Sequence, residues 1–417
     1  MDKSRLLIIS NNPLSYNRGN GKTILSYFDA LPKESVRQLY FSNEKPTVKG
    51  YDYFQISDED IIRGLLSPSR RGRVINNVNP EDAKSYQLRS SKIKGDMFRI
   101  AREVLWWKKW KSKGLIKWLD EFCPTAVFFV GGDSAFAYDI CKYVVSRYNA
   151  RLSLFITDDY IMPRAKSTVA HEIRRINIKQ KMKKCANESD AFFTISQPMR
   201  KKYKELLGVN SDVIVNFPDE IRCKEFTTRN DKIQLVYAGG IEYGREESLR
   251  AIAEAIDKYN QTTNGKKAEL RIYTNVKPSK NVLDKITLEG SSGYFGSLTR
   301  DELKCELNAA DVLVFVESYE PEQIEKTRLS LSTKVPEYLS AGKPILAVGP
   351  KEIGSMEYLS DVALCAYDPG CIYDTILKLF ESNEVRIGLQ EMAFKKYEEH
   401  HNKRLIQGPL IKQVLGE

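Results

Sequence analysis

The densest group of residues able to handle a charged substrate lies in LSLSTKVPEYLSAGKPILAVGP, residues 329–350. Lys334 and Glu337 stand three apart, so on a helix they share one face. Ser332 or Thr333 suits the N-cap of that helix, Pro336 is tolerated in its first turn, and Gly342 suits its end. Open amides at a helix start, a hydroxyl and a lysine suit a diphosphate, and a carboxylate suits a vicinal diol. A plain surface ion pair has the same spacing, so the segment gains weight only from its company. That company includes the turn after IQLVYAGG, where Gly239, Gly240 and Gly244 precede Arg245, a second cation for a diphosphate. A tight turn at Phe295-Gly296 follows, in YFGSLTRDEL.

Near the N-terminus, SYNRGNGKT ends in Gly21-Lys22-Thr23 and looks like a nucleotide phosphate loop. That loop needs a glycine where Tyr16 stands, so its anion-cradling nest is not available. What survives is a strand, a flexible turn with Gly19 and Gly21, and a helix starting near Lys22. Such a turn either presents amides to a polar ligand or simply joins a strand to a helix. Two acids, Asp158 and Asp159, end the apolar run RLSLFITDDY, where one could act on an acceptor hydroxyl or merely cap the next segment. Asp58-Glu59-Asp60 has D-x-D spacing for a metal, but it opens DEDIIRGLL, where acids favour a helix N-terminus.

The elements that must position these residues alternate. Short, continuously apolar runs (RLLIIS, AVFFVGG, RLSLFI, IQLVYAGG, DVLVFVES, PILAVGP) alternate with helix-periodic stretches, which predicts parallel, doubly wound sheets covered on both faces. A chain of 417 residues exceeds one core, so two Rossmann-like domains are expected. Pro218 and the polar run after it restart the pattern. The predicted division is an acceptor-side domain over 1–217, a donor domain over 218–395 and a helical tail over 396–417 returning to the first domain. Ligands of such sheets sit at the C-terminal strand ends, so the expected site is the interdomain cleft.

Composition narrows the class further. No apolar run approaches a membrane span or a secretion signal, and seven cysteines without a CxxC pair read as free thiols in a reducing cytoplasm. Three histidines leave little for histidine-based metal chemistry, and no metal site is expected. The net charge of +10 is concentrated between Arg70 and Lys117, with fourteen Lys/Arg against four Asp/Glu. The same region carries all four tryptophans, in VLWWKKWKSKGLIKWL. If helical, Trp107, Trp110, Leu115 and Trp118 form one stripe flanked by lysines. Residues 89–118 therefore read either as a helix at an anionic membrane surface or as a core helix with a solvated lysine face. Nothing matches a nucleic-acid-binding module, and no nucleic-acid partner is expected.

Taken in order, the glycine turn with Arg245, the turn at Phe295-Gly296 and the Lys334/Glu337 element resemble the donor domain of GT-B glycosyltransferases. The likeness is to the retaining "group 1" family that builds capsular polysaccharide and lipopolysaccharide. It covers nearly the whole chain and is most specific over 232–350. It implies transfer of a sugar from a UDP- or GDP-linked donor, without metal or other cofactor, to a glycan or polyprenol-linked acceptor at the inner membrane face. Arg245 and Lys334 would hold the diphosphate, with Gly240, Ser332 and Thr333 beside it. Glu337 would hold the ribose, and Phe295-Gly296 would face the base. Tyr16, Gly19, Gly21 and Lys22 would lie by the sugar or acceptor, and Asp158 or Asp159 near the reacting centre. The chain departs from the family at Leu329, where a sugar-contacting glutamate often stands; Glu317, Glu320, Glu322, Ser330 or Ser332 would substitute. A same-fold sugar-nucleotide epimerase and a non-catalytic binding scaffold are the alternatives.

Overall fold

In the computed structural model, residues 4–16, 19–67, 71–76, 78, 95–218, 221–222 and 232–417 are described. The apolar runs become buried strands, because a strand covered on both faces can bury every side chain. They divide between two compact units, 1–214 with 404–417, and 215–403.

In the first unit the strands are β1 (Leu6–Ser10), β2 (Val36–Tyr40), β3 (Asp52–Gln55), β4 (Arg73–Val74), β5 (Ala126–Gly131), β6 (Arg151–Ile156), β7 (Ala191–Thr194) and β8 (Asp212–Val213). Their order is β4-β3-β2-β1-β5-β6-β7-β8, parallel except for β3 against β4. The helices are α1 (Gly19–Phe28), α2 (Asp58–Leu66), α3 (Asp96–Trp106), α4 (Lys113–Phe122), α5 (Ala135–Tyr148), α6 (Val169–Glu188) and α7 (Gln197–Leu207). Strand order reverses between β1 and β5, which opens a crevice at their C-terminal ends.

The second unit repeats that plan with β9 (Ile233–Ala238), β10 (Ala268–Tyr273), β11 (Ser292–Tyr294), β12 (Val312–Val316), β13 (Ile345–Val348) and β14 (Leu364–Ala366), in the order β11-β10-β9-β12-β13-β14. Its helices are α8 (Arg245–Thr262), α9 (Lys280–Ile286), α10 (Arg300–Ala309), α11 (Pro321–Thr327), α12 (Lys334–Ala341), α13 (Gly354–Leu359), α14 (Ile372–Glu381) and α15 (Asn383–His400). Here the reversal lies between β9 and β12. A last helix, α16 (Lys403–Leu415), belongs with the first unit from Arg404 onward. It buries Leu410 and Val414, and the Gln407 amide donates to Ser26 O at 2.8 Å.

Two readings of the sequence change here. The tryptophan stretch is not one helix. α3 ends at Trp106, Lys108 takes a left-handed φ of 55°, and α4 starts anew at Lys113 behind a Ser112 cap. The break turns Trp106, Trp110, Leu115 and Trp118 into the core, and only Trp107, 65% exposed, faces solvent. The membrane stripe is therefore absent, because the apolar face it needed is already covered. Lys84, Arg89, Lys92 and Lys94 lie outside the described residues.

The glycines of GNGKT also differ from expectation. α1 begins at Gly19, so Gly21 is inside its first turns and buried under the preceding loop. A Cβ there would sit 2.2 Å from Pro13 O, so Gly21 serves close packing rather than flexibility. Asp58-Glu59-Asp60 opens α2 as expected of helix-starting acids. Ser57 and Asp60 form a capping box, with the Asp60 carboxylate 2.9 Å from Ser57 N.

Candidate functional site

In the second unit, the residues singled out from 239–245 and 332–337 come together at the β9/β12 switch point. β9 ends at Ala238, and the chain crosses Gly239 and Gly240 and enters α8 at Arg245 through Gly244, whose φ is 73°. β12 ends at Val316, which puts Glu317 opposite. Arg245 donates to the Glu317 carboxylate through both Nε (3.2 Å) and Nη2 (2.9 Å). Both side chains are largely buried, so the pair spans the crevice out of bulk water. Burial opposes the Arg245 charge, but Glu317, Tyr237 and Glu242 together outweigh it and raise the guanidinium pKa above its ordinary value.

Lys334 opens α12 on the same side. Its chain lies across the backbone of Gly239, where a Cβ would meet Lys334 Cε at 1.9 Å. Only glycine leaves that path open. The ammonium donates to Tyr237 Oη at 2.9 Å and lies 4.5 Å from the ring centroid, while Tyr237 Oη donates in turn to Gly240 O. Burial and then repulsion from Arg245 push the Lys334 pKa down to about 7, against the pull of Glu317, Glu242 and Glu337. Two cations held this close, with one already inclined to lose its proton, form a place where an added anion is strongly favoured.

The start of α12 adds to this. Thr333 occupies the N-cap position with helical φ and ψ and makes no capping hydrogen bond. Its expected role passes partly to Ser332, whose hydroxyl accepts from Lys334 N at a long 3.4 Å. The Val335 amide donates to Ser332 O at 3.0 Å, and the positive end of the helix dipole lies on the same side as Lys334. Glu337 is in the first turn, half-buried. Gly342 ends the helix in the left-handed conformation expected of it. Leu329 is buried, and the glutamate that joins the cluster is Glu317, whose own carbonyl accepts from Ser248 Oγ at 2.7 Å.

Phe295 and Gly296 follow β11 in the same unit. Phe295 is 42% exposed and lies under the Arg271 guanidinium, 4.3 Å from the ring centroid. Gly296 has a φ of 94°, and its carbonyl accepts from Thr274 N at 3.0 Å.

The first-unit candidates are arranged differently. Tyr16 is exposed, and its backbone NH donates to Thr47 Oγ1 at 3.2 Å. Asn20, beside Gly19, Gly21 and Lys22 in α1, donates to Thr157 Oγ1 at 3.1 Å. Asp159 accepts from the backbone NH groups of Ile161 and Met162 at 3.2 and 3.0 Å, which is the capping role. Asp158 is exposed and accepts from Thr157 Oγ1 (3.1 Å) and Tyr160 Oη (3.2 Å). A pocket of about 90 Å³ sits at the ends of β1 and β5, with Tyr160 and Asn20 on its wall.

Tyr237, Ser248 and Glu103, the last described below, were not anticipated. Tyr237 carried a usable signal, a tyrosine two residues before a paired glycine turn at a strand end. Ser248 and Glu103 carried none, because their partners lie far away in sequence.

No protein-family model matches the chain, and no curated protein matches it either. Solved structures do. The E. coli protein titled as trehalose-6-phosphate bound with UDP-2-fluoro glucose is similar at a TM-score of 0.64 and 13% identity, over 99% of each chain. The Burkholderia xenovorans α,α-trehalose-phosphate synthase (UDP-forming), in complex with glucose-6-phosphate, gives 0.63 and 10%, over 99% of this chain and 100% of that one. The N-terminal domain of Candida albicans trehalose-6-phosphate phosphatase gives 0.63 and 11%, over 99% and 97%. The fold is GT-B. At this identity the likeness carries fold alone, and these trehalose-phosphate neighbours do not show the capsular and lipopolysaccharide family that the sequence resembled.

Proposed function

We propose that the protein is a glycosyltransferase that moves a sugar from a nucleotide diphosphate donor to an acceptor hydroxyl. The observation that carries this reading is the convergence of Arg245, Lys334 and the start of α12, which the Thr333 side chain does not cap, on one switch-point crevice of a GT-B chain. Departure of the anionic diphosphate is the demanding step. Buried, preorganised cations and helix amides stabilise that charge without reorganising, an effect worth roughly 3–4 kcal/mol per donor in comparable sites. Lys334 must be protonated to contribute, and the incoming diphosphate supplies the negative charge that raises its pKa. Glu337 binds the ribose diol and Phe295 the base, and no metal is required. Asp158 is the better placed of the two acids for the acceptor, since Asp159 spends its carboxylate on the following turn.

Within this function two acceptor classes have support. The sequence likeness supports a glycan or polyprenol-linked acceptor in surface-polysaccharide synthesis at the inner membrane face. The solved neighbours instead support a trehalose-type transfer from a UDP sugar. Among the described residues no helix is long and apolar enough to cross a membrane.

The test is product analysis with a panel of UDP- and GDP-linked sugars, with Lys334→Ala and Glu337→Ala as controls. Transfer to an acceptor that both variants lose by 10²-fold or more, while remaining folded, is the expected result. Free epimerised sugar would mean an epimerase, binding without turnover a scaffold, and near-normal transfer in both variants would overturn the donor-site assignment.

A further inference from the structure

The first unit has the same switch-point crevice as the second, but the helix that starts beside it is already occupied. α5 begins directly after β5 and the Gly131-Gly132 turn, where a doubly wound sheet offers its amides to a ligand anion. Here Glu103 from α3 fills that position. Its two carboxylate oxygens accept from Ala135 N at 2.7 Å and Phe136 N at 3.0 Å. Ser134, at the N-cap, makes no capping bond of its own, so Glu103 is the cap.

The neighbouring cations are likewise committed. Arg174, only 8% exposed, bridges Asp96 (2.9 Å) and Asp133 (3.0 Å), and Arg99 meets Asp133 at 2.8 Å. Arg102 meets Asp58 at 2.6 Å and donates to Ser134 Oγ at 2.9 Å. Counting Glu103, four carboxylates face three guanidiniums. Among the described residues lining the crevice pocket there is no lysine or arginine: hydroxyls and amides from Ser10, Asn11, Asn12, Asn20 and Tyr160 share its wall with the carboxylate of Asp133 and with an apolar side formed by Phe41, Val130 and Ala137. Its volume of about 90 Å³ is several times the ~10–15 Å³ that one water needs. Hydroxyls and amides facing an apolar side suit the polar edge and the C–H face of a sugar, whereas a phosphate placed there would meet the Asp133 carboxylate and, at the α5 amides, the Glu103 carboxylate already seated on them.

We infer that the first-unit crevice takes a neutral, polyhydroxylated acceptor and excludes a phosphorylated one, with Glu103 as the internal anion that enforces the choice. The assignment to an acceptor rests on the proposed transferase activity, but the exclusion of phosphate does not. It deepens the proposed function by separating this chain's acceptor from the sugar phosphate named for the Burkholderia xenovorans structure.

The experiment uses the full chain with UDP or GDP at saturation, so that the second-unit anion site is filled. Inorganic phosphate and glucose 6-phosphate are titrated by calorimetry into the wild type and into Glu103→Ala. The wild type should show no saturable binding of either, and the variant should gain phosphate affinity by at least about tenfold, because the α5 amides are released. Where Glu103→Ala does not fold, Glu103→Gln removes the charge and releases one of the two α5 amides, and a smaller gain in the same direction is expected. In parallel, methyl α-glucoside and methyl α-mannoside are compared with glucose 6-phosphate as acceptors. At least about tenfold preference for a neutral glycoside is expected. Saturable binding of glucose 6-phosphate to the wild type that Asn20→Ala weakens, or a preference for it as acceptor, would overturn the inference. Failure to bind any nucleoside diphosphate or turn over any donor would instead sink the transferase reading, and the phosphate titration would still decide the crevice.

Discussion

The two units present the same crevice with opposite electrostatics. Each reverses strand order beside its first strand, at β1/β5 and at β9/β12, and each starts a helix near that point. In the second unit Arg245, paired with Glu317, and Lys334, which donates to Tyr237 and to no carboxylate among the described residues, lie at the crevice, and the Thr333 side chain does not cap α12. In the first, Arg99, Arg102 and Arg174 turn away to Asp133, Asp58 and Asp96, and Glu103 closes α5. Topology therefore fixes where a ligand binds, and a few charges reaching in from neighbouring helices fix what kind. A basic chain does not mean a basic site: the first unit carries the strongest run of positive charge in the sequence, and still no lysine or arginine is among the described residues lining its crevice pocket.

The largest change to this contrast is expected at Trp106, which anchors the first unit's charge network. It is fully buried, stacks on Phe136 at 3.8 Å between centroids, and its indole NH donates to Asp58 at 2.7 Å. Trp106→Ala should cost about 3–5 kcal/mol of first-unit stability in urea unfolding, since it opens a cavity and removes a donor from a carboxylate. Nucleoside diphosphate binding should persist below that transition if the second unit's site is self-contained.

A smaller effect, confined to the second unit, is expected of Gly239→Ala. Its Cβ would displace the Lys334 side chain from the only path it has, and affinity for UDP or GDP should fall roughly 10- to 100-fold, the worth of one charge-assisted contact. An unchanged dissociation constant would show that Lys334 binds nothing from that position. The mildest test is pH. Because Lys334 is pushed down to about 7, its unliganded form sheds its proton above that pH. Diphosphate binding should then take up a proton, and affinity should fall as pH rises above 7, by at most about tenfold per unit. Calorimetry in buffers of different ionisation enthalpy reads that uptake directly.

Much of the architecture was legible because parallel strands announce themselves as unbroken apolar runs, and β5, β6, β9 and β12 fall on such runs. Lys334 and Glu337 were legible through a three-residue spacing and a terminating glycine, both local properties of one helix. What stayed hidden was non-local. Arg245 finds Glu317 across 72 residues, and Glu103 finds α5 across more than 30. No periodicity encodes either meeting. The tryptophan stretch failed for a related reason: a helical wheel assumes a continuous helix, and the turn at Lys108 redistributed three of its four rings into the core. Gly21 misled because the same residue type serves loop freedom and close packing, and only the Pro13 carbonyl above it tells the two apart.

The placement of α16 has a consequence for how the molecule is made. Residues 404–417 complete the first unit, where the Gln413 amide donates to Asp212 at 2.9 Å and Ser4 Oγ to Glu417 at 2.7 Å. On the ribosome, the first half of the chain therefore emerges without one of its own helices and must wait for nearly two hundred intervening residues before it can close. The second unit has no such wait, so the later-synthesised half is the one able to reach its finished state first.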